Sequence, residues 1–297
     1  MTRFEFETVD VFTDRRFGGN PLAVFPEAEG IKADRMQSLA AEFNLSETTF
    51  VLPPADPANT ARVRIFNRTA EMAFAGHPSI GTAFVLARRR AVAGGSMRLE
   101  MPAGVARVEL YLDAAGEPVG GAVEAPQALS LGGSVPVADV AACLGLTPGE
   151  ICTEAHRPVE ASMGNPYLIV EVRPEALGRC EPDRAAFRRA LAERGQGSRF
   201  SVFAYSRNGD RVRARMFAPL AGTWEDPATG SANAPLAGLL LSLDGGDRLK
   251  LEVAQGAELG RPSRLGLEAW RHGDGIRAKV SGSCVPVFTG TYAENPA

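Results

Sequence analysis

Pro78-Ser79-Ile80-Gly81-Thr82-Ala83-Phe84-Val85-Leu86 reads as a helix, with proline in the first turn, where its missing N–H would be unpaired in any case. The run then shows almost no polar face. A helix that is apolar nearly all round is buried on every side. About 150 residues later Pro227-Ala228-Thr229-Gly230-Ser231-Ala232 repeats this opening, and Ala234, Leu236, Leu239 and Leu240 repeat its apolar continuation. The segments around both helices have strand character. Each half therefore predicts a sheet wrapped around a central helix.

Three further landmarks recur in the same order at nearly the same offset. Gly19-Asn20-Pro21-Leu22 returns as Gly164-Asn165-Pro166-Tyr167. Asp34-Arg35, opening a helical pattern, returns as Asp183-Arg184, and Arg62-Val63-Arg64-Ile65-Phe66 returns as Arg213-Ala214-Arg215-Met216-Phe217. A chain of 297 residues is about twice a typical domain of roughly 150. The repeat sharpens this to two copies of one unit. The expected fold is α+β, with two pseudo-symmetric lobes. Each lobe is a strongly curved, mostly antiparallel, barrel-like sheet around a central apolar helix. The lobes are expected at 1–120 and 121–297, with a boundary in Asp113 to Gly121 and a last strand able to return to the first lobe. Val137 to Leu144 reads as a short linking helix.

Within the first copy, strands are expected over Glu7 to Phe12, Leu22 to Phe25, Thr48 to Leu52, Arg62 to Phe66 and Arg98 to Leu112. Met36, Leu39, Ala40 and Phe43 fall on one helical face. The second copy offers Val159 to Met163, Leu168 to Val172, Phe200 to Ser206, Arg211 to Phe217 and Arg248 to Val253, with Ile276 to Ser281 and Val285 to Thr289 finishing the chain.

Composition excludes several classes of function. The chain is 45% hydrophobic and 23% charged, with 32 basic against 35 acidic side chains and a net charge of −3, which gives no reason to expect nucleic acid or an anionic membrane as partner. The run Ala234 to Leu241 is far shorter than the roughly 18 residues of a membrane helix. The N-terminal Met-Thr-Arg-Phe-Glu-Phe-Glu lacks the apolar core of a signal peptide, so a cytoplasmic location is expected. Cys143, Cys152, Cys180 and Cys284 form no C-x-x-C pair and have no histidine at ligand spacing, so no metal site is expected. They read as reduced structural thiols.

Chemistry is expected where the two copies begin their central helices, at His77-Pro78 and Asp226-Pro227. Small residues in each first turn and N–H groups at a helix start make an anion cradle. Ser79 and Gly81 in one copy, with Ala228, Thr229, Gly230 and Ser231 in the other, are those small residues, and Ser79, Gly230 and Ser231 among them are candidate substrate-binding positions. If a pseudo-twofold relates the copies, the two starts face each other across the cleft between lobes. His77 and Asp226 stand at matching points of the repeat, whereas Glu47 matches Gln196, a residue with no charge. One carboxylate base, an imidazole and a second carboxylate suit general acid–base work. Taken singly, Asp226 also reads as a helix cap, Glu47 as a turn carboxylate and His77 as a structural histidine. Trp224 and Phe74 flank the two motifs and read equally as pocket lining or as core.

Asp10-Val11-Phe12 with Gly19-Asn20-Pro21, Ser46-Glu47-Thr48, Gly76-His77-Pro78, Met163-Gly164-Asn165-Pro166 and Glu225-Asp226-Pro227-Ala228-Thr229-Gly230-Ser231-Ala232 closely resemble the PhzF-like phenazine-biosynthesis family, from about residue 4 to 290. The resemblance implies the diaminopimelate-epimerase fold, with the site between two similar lobes. It implies isomerisation of a substrate such as trans-2,3-dihydro-3-hydroxyanthranilate without metal or organic cofactor, and commonly a homodimer. In that reading Glu47 moves the proton. His77 and Asp226, with Gly76, Gly230 and Ser231, hold the small carboxylic acid and assist. The two cysteines that diaminopimelate epimerases carry at these helix starts are missing here, so one carboxylate base is favoured over a thiol pair. Two other readings remain: an epimerase or racemase of an amino or hydroxy acid, and a non-enzymatic binding protein on the same fold.

Overall fold

The computed structural model describes residues 2–89, 95–193 and 200–294. Its first elements are β1 (Thr2–Val11), β2 (Asn20–Phe25), α1 (Ala33–Phe43), β3 (Glu47–Leu52), β4 (Ala61–Phe66) and β5 (Glu71–Met72). They are followed by α2 (Gly76–Arg89), β6 (Ser96–Met101), β7 (Gly104–Leu112) and β8 (Pro118–Glu124). Then come β9 (Ser130–Ser134), α3 (Val137–Leu144), β10 (Val159–Ser162), β11 (Pro166–Glu171), α4 (Pro174–Leu177) and α5 (Arg184–Glu193). The chain continues with β12 (Val202–Asn208), β13 (Arg211–Ala218), β14 (Thr223–Asp226) and α6 (Gly230–Asp244). Strands β15 (Arg248–Gln255), β16 (Ser263–His272) and β17 (Gly275–Glu294) close it. Among the described residues no helix is long and apolar enough to cross a membrane.

Contacts divide the chain into two units, one of residues up to Pro126 with those from Val280 onward, the other Gln127–Lys279. Asp113 to Gly121 holds a tight hairpin turn. The Asp113 side chain accepts the N–H groups of Ala115 and Glu117, and the chain runs straight on into β8. Helix α3 occupies the expected Val137–Leu144, but its Val140, Ala141, Cys143 and Leu144 are buried with Phe187 and Phe200 in the second unit's core.

The first unit is a closed barrel of eight strands: β17 pairs with β1, then β2, β3, β4, β6, β7 and β8 follow, and β8 returns to β17. In this ring β2–β3 and β4–β6 are parallel. A parallel pair needs a crossover, and the crossovers are α1 and α2. Helix α1 packs on the outer surface, where Met36, Leu39 and Ala40 meet Phe25, Phe50 and Phe66. Helix α2 fills the inside, with every residue from Gly76 to Leu86 buried and contacts to β1, β2, β3, β7 and β8. Strand β3 is consequently buried on both faces. Phe50 packs outward under α1, while Thr49 bonds inward to Thr82 of α2 at 2.8 Å.

The second unit repeats this order as β9, β10, β11, β12, β13, β15 and β16, again parallel at β11–β12 and β13–β15. Helices α4 and α5 make the outer crossover. Helix α6, buried from Ala232 to Leu241, makes the inner one against β10, β11, β15 and β16. Side chains repeat as well. Arg64 grips Glu71 with two hydrogen bonds of 2.7 Å and lies 5.0 Å over the Phe66 ring. Arg215 grips Glu225 at 2.8 and 2.7 Å and lies 4.9 Å over Phe217. In both units this planar fork ties the strand before the central helix to its neighbour.

Candidate active site

Glu47 is the first residue of β3, and its parallel partner in the ladder is Leu22 of the Gly-Asn-Pro turn. His77 lies in the first turn of α2, which starts at Gly76, one residue before the expected His77-Pro78. The barrel and its inner helix thus bring the two together: Nε2 of His77 stands 3.4 Å from Oε2 of Glu47, with 6% and 16% of the side chains exposed. The ring nitrogen touches the carboxylate oxygen but makes no aligned hydrogen bond. Burial pushes the His77 pKa down to about 3, because an imidazolium there would lose its hydration. At neutral pH the pair is therefore an uncharged imidazole beside a carboxyl group.

Ser79 points elsewhere. It is fully buried, and its hydroxyl donates to the Ala75 carbonyl at 2.7 Å, so its proton belongs to the helix's own backbone. Gly76 is buried at the helix start.

In the second unit the helix start differs from expectation. Asp226 ends β14 opposite Met216, and α6 begins at Gly230 with Thr229 as its N-cap residue. The buried Asp226 carboxylate accepts the Thr229 hydroxyl at 2.5 Å. Ser231, one residue into the helix and partly exposed, shares a 2.7 Å hydrogen bond with the Tyr167 phenol. Gly230 is buried beneath it.

Gln196, the expected counterpart of Glu47, lies outside the described residues. The ladder gives a different match. Ala23 pairs with Thr48 as Leu168 pairs with Val202, so Glu47 corresponds to Ser201, one residue before Val202. The asymmetry in charge is the same: a carboxylate in the first unit, a neutral side chain in the second.

Gln255, which the sequence reading did not single out, is tied to the candidate site residue Asp226. It is 2% exposed at the end of β15 and binds both Asp226 and Thr229. The available signal was a glutamine at an inward position of an alternating strand, followed by Gly256. That glycine has φ +76°, and a side chain on it would come within 2.5 Å of the Pro227 carbonyl. Trp224 is 53% exposed and therefore not core, while Phe74 is half-buried.

No thiol is poised for proton transfer. Burial raises Cys143 to about 12 and Cys180 to about 11, and it raises Cys152 and Cys284 as well. Thiolates would be scarce at neutral pH.

Residues 9–290 match the family model described as phenazine biosynthesis-like protein. An uncharacterized isomerase of Mesorhizobium japonicum is 39% identical, covering 95% of this chain and 96% of that one. The trans-2,3-dihydro-3-hydroxyanthranilate isomerase of Pseudomonas chlororaphis is 34% identical, covering 95% and 97%. The crystal structure of a Bacillus anthracis phenazine biosynthesis protein of the PhzF family superposes with a TM-score of 0.86 at 23% identity, covering 99% of this chain and 100% of that one.

Proposed function

The chain belongs to the phenazine biosynthesis-like family, and on that premise we propose that it is an isomerase that moves a proton on a small unsaturated carboxylic acid. The substrate class is that of trans-2,3-dihydro-3-hydroxyanthranilate, on which the Pseudomonas chlororaphis relative is named as acting. The observation that carries the reading is the 3.4 Å pairing of Glu47 with a buried, neutral His77.

Glu47 takes a proton from a carbon next to the unsaturated system. The electron pair left behind delocalises into that system, and Glu47 returns the proton at another carbon, so the enzyme ends as it began. His77 stays uncharged throughout. Its role is to place a ring N–H against the negative charge that develops on the substrate, which a preorganised donor does without first being reoriented. Asp226 is given a supporting part, orienting the substrate, as the buried carboxylate of the Glu225-Asp226-Pro227 motif. The ladders pair Asp226 with Met216 as Met72 pairs with Ile65, so its counterpart in the first unit is Met72 and not the expected His77. Gly76, Gly230 and Ser231 are given the substrate carboxylate. The working form is proposed to be a cytoplasmic homodimer on the family premise, which sedimentation of the purified protein tests.

The deciding experiment is incubation with trans-2,3-dihydro-3-hydroxyanthranilate in heavy water, followed by NMR. Wild-type protein isomerises the compound and introduces deuterium at carbon. Glu47→Gln, folded as judged by circular dichroism, loses about 10²–10⁴-fold in rate, the range expected for removing a general base. Deuterium uptake by Glu47→Gln at the wild-type rate sinks the assignment.

A further inference from the structure

The hydrogen bonds around Gln255 have a direction, and that direction reaches Asp226. The Gln255 amide nitrogen lies 2.9 Å from the Asp226 carbonyl oxygen and 3.2 Å from the Thr229 hydroxyl. The amide oxygen lies 3.2 Å from the Thr229 N–H nitrogen and 3.1 Å from the Asn233 amide nitrogen. Reversing the amide would set a donor against the Thr229 N–H and an acceptor against the Asp226 carbonyl, so the partners fix its orientation. Asn233 is fixed in the same way, since its amide nitrogen also donates to the Thr229 carbonyl at 2.9 Å. Thr229 thus receives a hydrogen bond from Gln255. Its single hydroxyl proton is left for the Asp226 carboxylate, 2.5 Å away.

We propose that Gln255 is a positioning residue that acts through Thr229. By donating to the threonine hydroxyl it commits that proton to Asp226, holding the carboxylate ionised and in one orientation for the reaction. Part of this inference rests on the functional reading above, in which Asp226 serves catalysis; the relay itself does not. A donor aimed at a carboxylate favours the charged form, and a donor that is itself hydrogen-bonded gives the stronger bond. The relay is built into rigid parts of the unit. Gln255 ends a strand, Asn233 sits in the buried helix, and both are 2% exposed or less. Of the other charged groups on the surrounding elements, Arg215 and Glu225 pair with each other, Arg213 of β13 pairs with Glu258, and Arg248 and Lys250 of β15 lie against Glu268. Arg211 and Glu252 are exposed, and Arg261 stands on the loop after β15, where its backbone carbonyl faces Gly256.

The test is a carbon-13 NMR titration of protein labelled at the aspartate side-chain carboxyl, with Asp226→Asn identifying the Asp226 resonance by its loss. Thr229→Val keeps the shape of the side chain and removes the hydroxyl. Asp226 is then expected to titrate about one pH unit or more above its wild-type position. Thr229→Ser keeps the relay and the wild-type titration. Gln255→Met shifts Asp226 upward as Thr229→Val does, and the double variant shifts it no further. An unchanged titration in Thr229→Val overturns the relay, whether or not Gln255→Met folds. The kinetic arm uses trans-2,3-dihydro-3-hydroxyanthranilate, where kcat falls about 10-fold in Thr229→Val and is restored in Thr229→Ser. An unchanged kcat in Asp226→Asn would remove Asp226 from catalysis, which overturns its part in the functional reading and leaves the titration to judge the relay. A reduced kcat in Asp226→Asn with wild-type kcat in Thr229→Val overturns the positioning role alone.

Discussion

His77 Nε2 touches Glu47 Oε2 at 3.4 Å from inside a site so buried that the imidazole cannot hold a charge. A histidine whose pKa falls from 6.5 to about 3 on folding binds fewer protons folded than unfolded anywhere between those values. Its contribution to the pH dependence therefore has a definite sign. It is neutral above pH 6.5, and below that it costs stability increasingly, down to about pH 3, by a few kcal/mol in all. The melting temperature should fall as pH drops from 7 to 4, and His77→Gln should flatten that fall. Nitrogen-15 NMR should find the His77 ring neutral at pH 5, where an ordinary histidine is charged. An imidazolium signal for His77 at that pH contradicts the neutral role assigned to it.

Arg215 and Glu225 offer a comparison internal to the molecule. The same fork occurs as Arg64 with Glu71, but the first-unit side chains are 26% and 33% exposed and those of the second unit only 8% and 4%. Arg215 also donates to the carbonyls of Leu177 and Cys180, at 3.1 and 2.8 Å. Removing one partner of a buried pair strands the other charge, at about 3–5 kcal/mol. An exposed survivor is rehydrated, and surface pairs are typically worth under about 1 kcal/mol. Urea unfolding should show Arg215→Met to be far more destabilising than Arg64→Met. Equal losses would mean that burial does not separate the two forks.

Those paired forks also indicate how much of the molecule could be read from its residues. Arg62-Val63-Arg64-Ile65-Phe66 and its counterpart at Arg213 were legible as a repeated strand because alternation and repetition are local properties of sequence. The buried helices Gly76–Arg89 and Gly230–Asp244 were legible because a side-chain pattern without a polar face has one physical solution. What failed was register. Asp226-Pro227 resembles a helix start, but β-pairing with Met216 holds Asp226 in a strand and leaves Thr229 to open the helix. The fixed offset matched Glu47 with Gln196, whereas the ladders match it with Ser201, since loop lengths drift between copies and hydrogen-bonded strands do not. Gln255 was missed because its partners are more than twenty residues away in sequence, and nothing local marks a glutamine as the centre of a network.

Tyr167 and Ser231 share one proton's worth of ambiguity, and substrate binding would resolve it. If Ser231 donates to a substrate carboxylate, the phenol must donate to Ser231, and the serine becomes a better donor for it. Tyr167→Phe should then raise KM for trans-2,3-dihydro-3-hydroxyanthranilate by roughly 3- to 10-fold, the worth of one hydrogen bond. The turnover number should stay within about twofold, since the contact exists in ground and transition states alike. Steady-state kinetics separate this from a lowered kcat at constant KM, which would mean that the phenol meets charge formed only during reaction.

Gly19 and Gly81 are both places where a side chain would collide, but the collisions differ in kind. At Gly81, where α2 crosses β1 and β2, an added Cβ would come within 2.6 Å of Leu22 Cδ2 and 2.8 Å of Val11 Cγ2. Those are the ends of rotatable side chains, so repacking limits the cost of Gly81→Ala to about 1–3 kcal/mol. At Gly19, in the turn leading into β2, the backbone has φ +61° and the added Cβ would lie 2.3 Å from the Val11 carbonyl oxygen. Neither the left-handed conformation nor the carbonyl of a paired strand can give way cheaply. Gly19→Ala should therefore destabilise the protein more than Gly81→Ala in denaturant titrations. It should also lower activity at temperatures where the fold is intact, because the strand that this turn starts carries Leu22, the ladder partner of Glu47. Stability equal to wild type in Gly19→Ala would show that the turn can adopt another course, and Glu47 would then need some other anchor for its position.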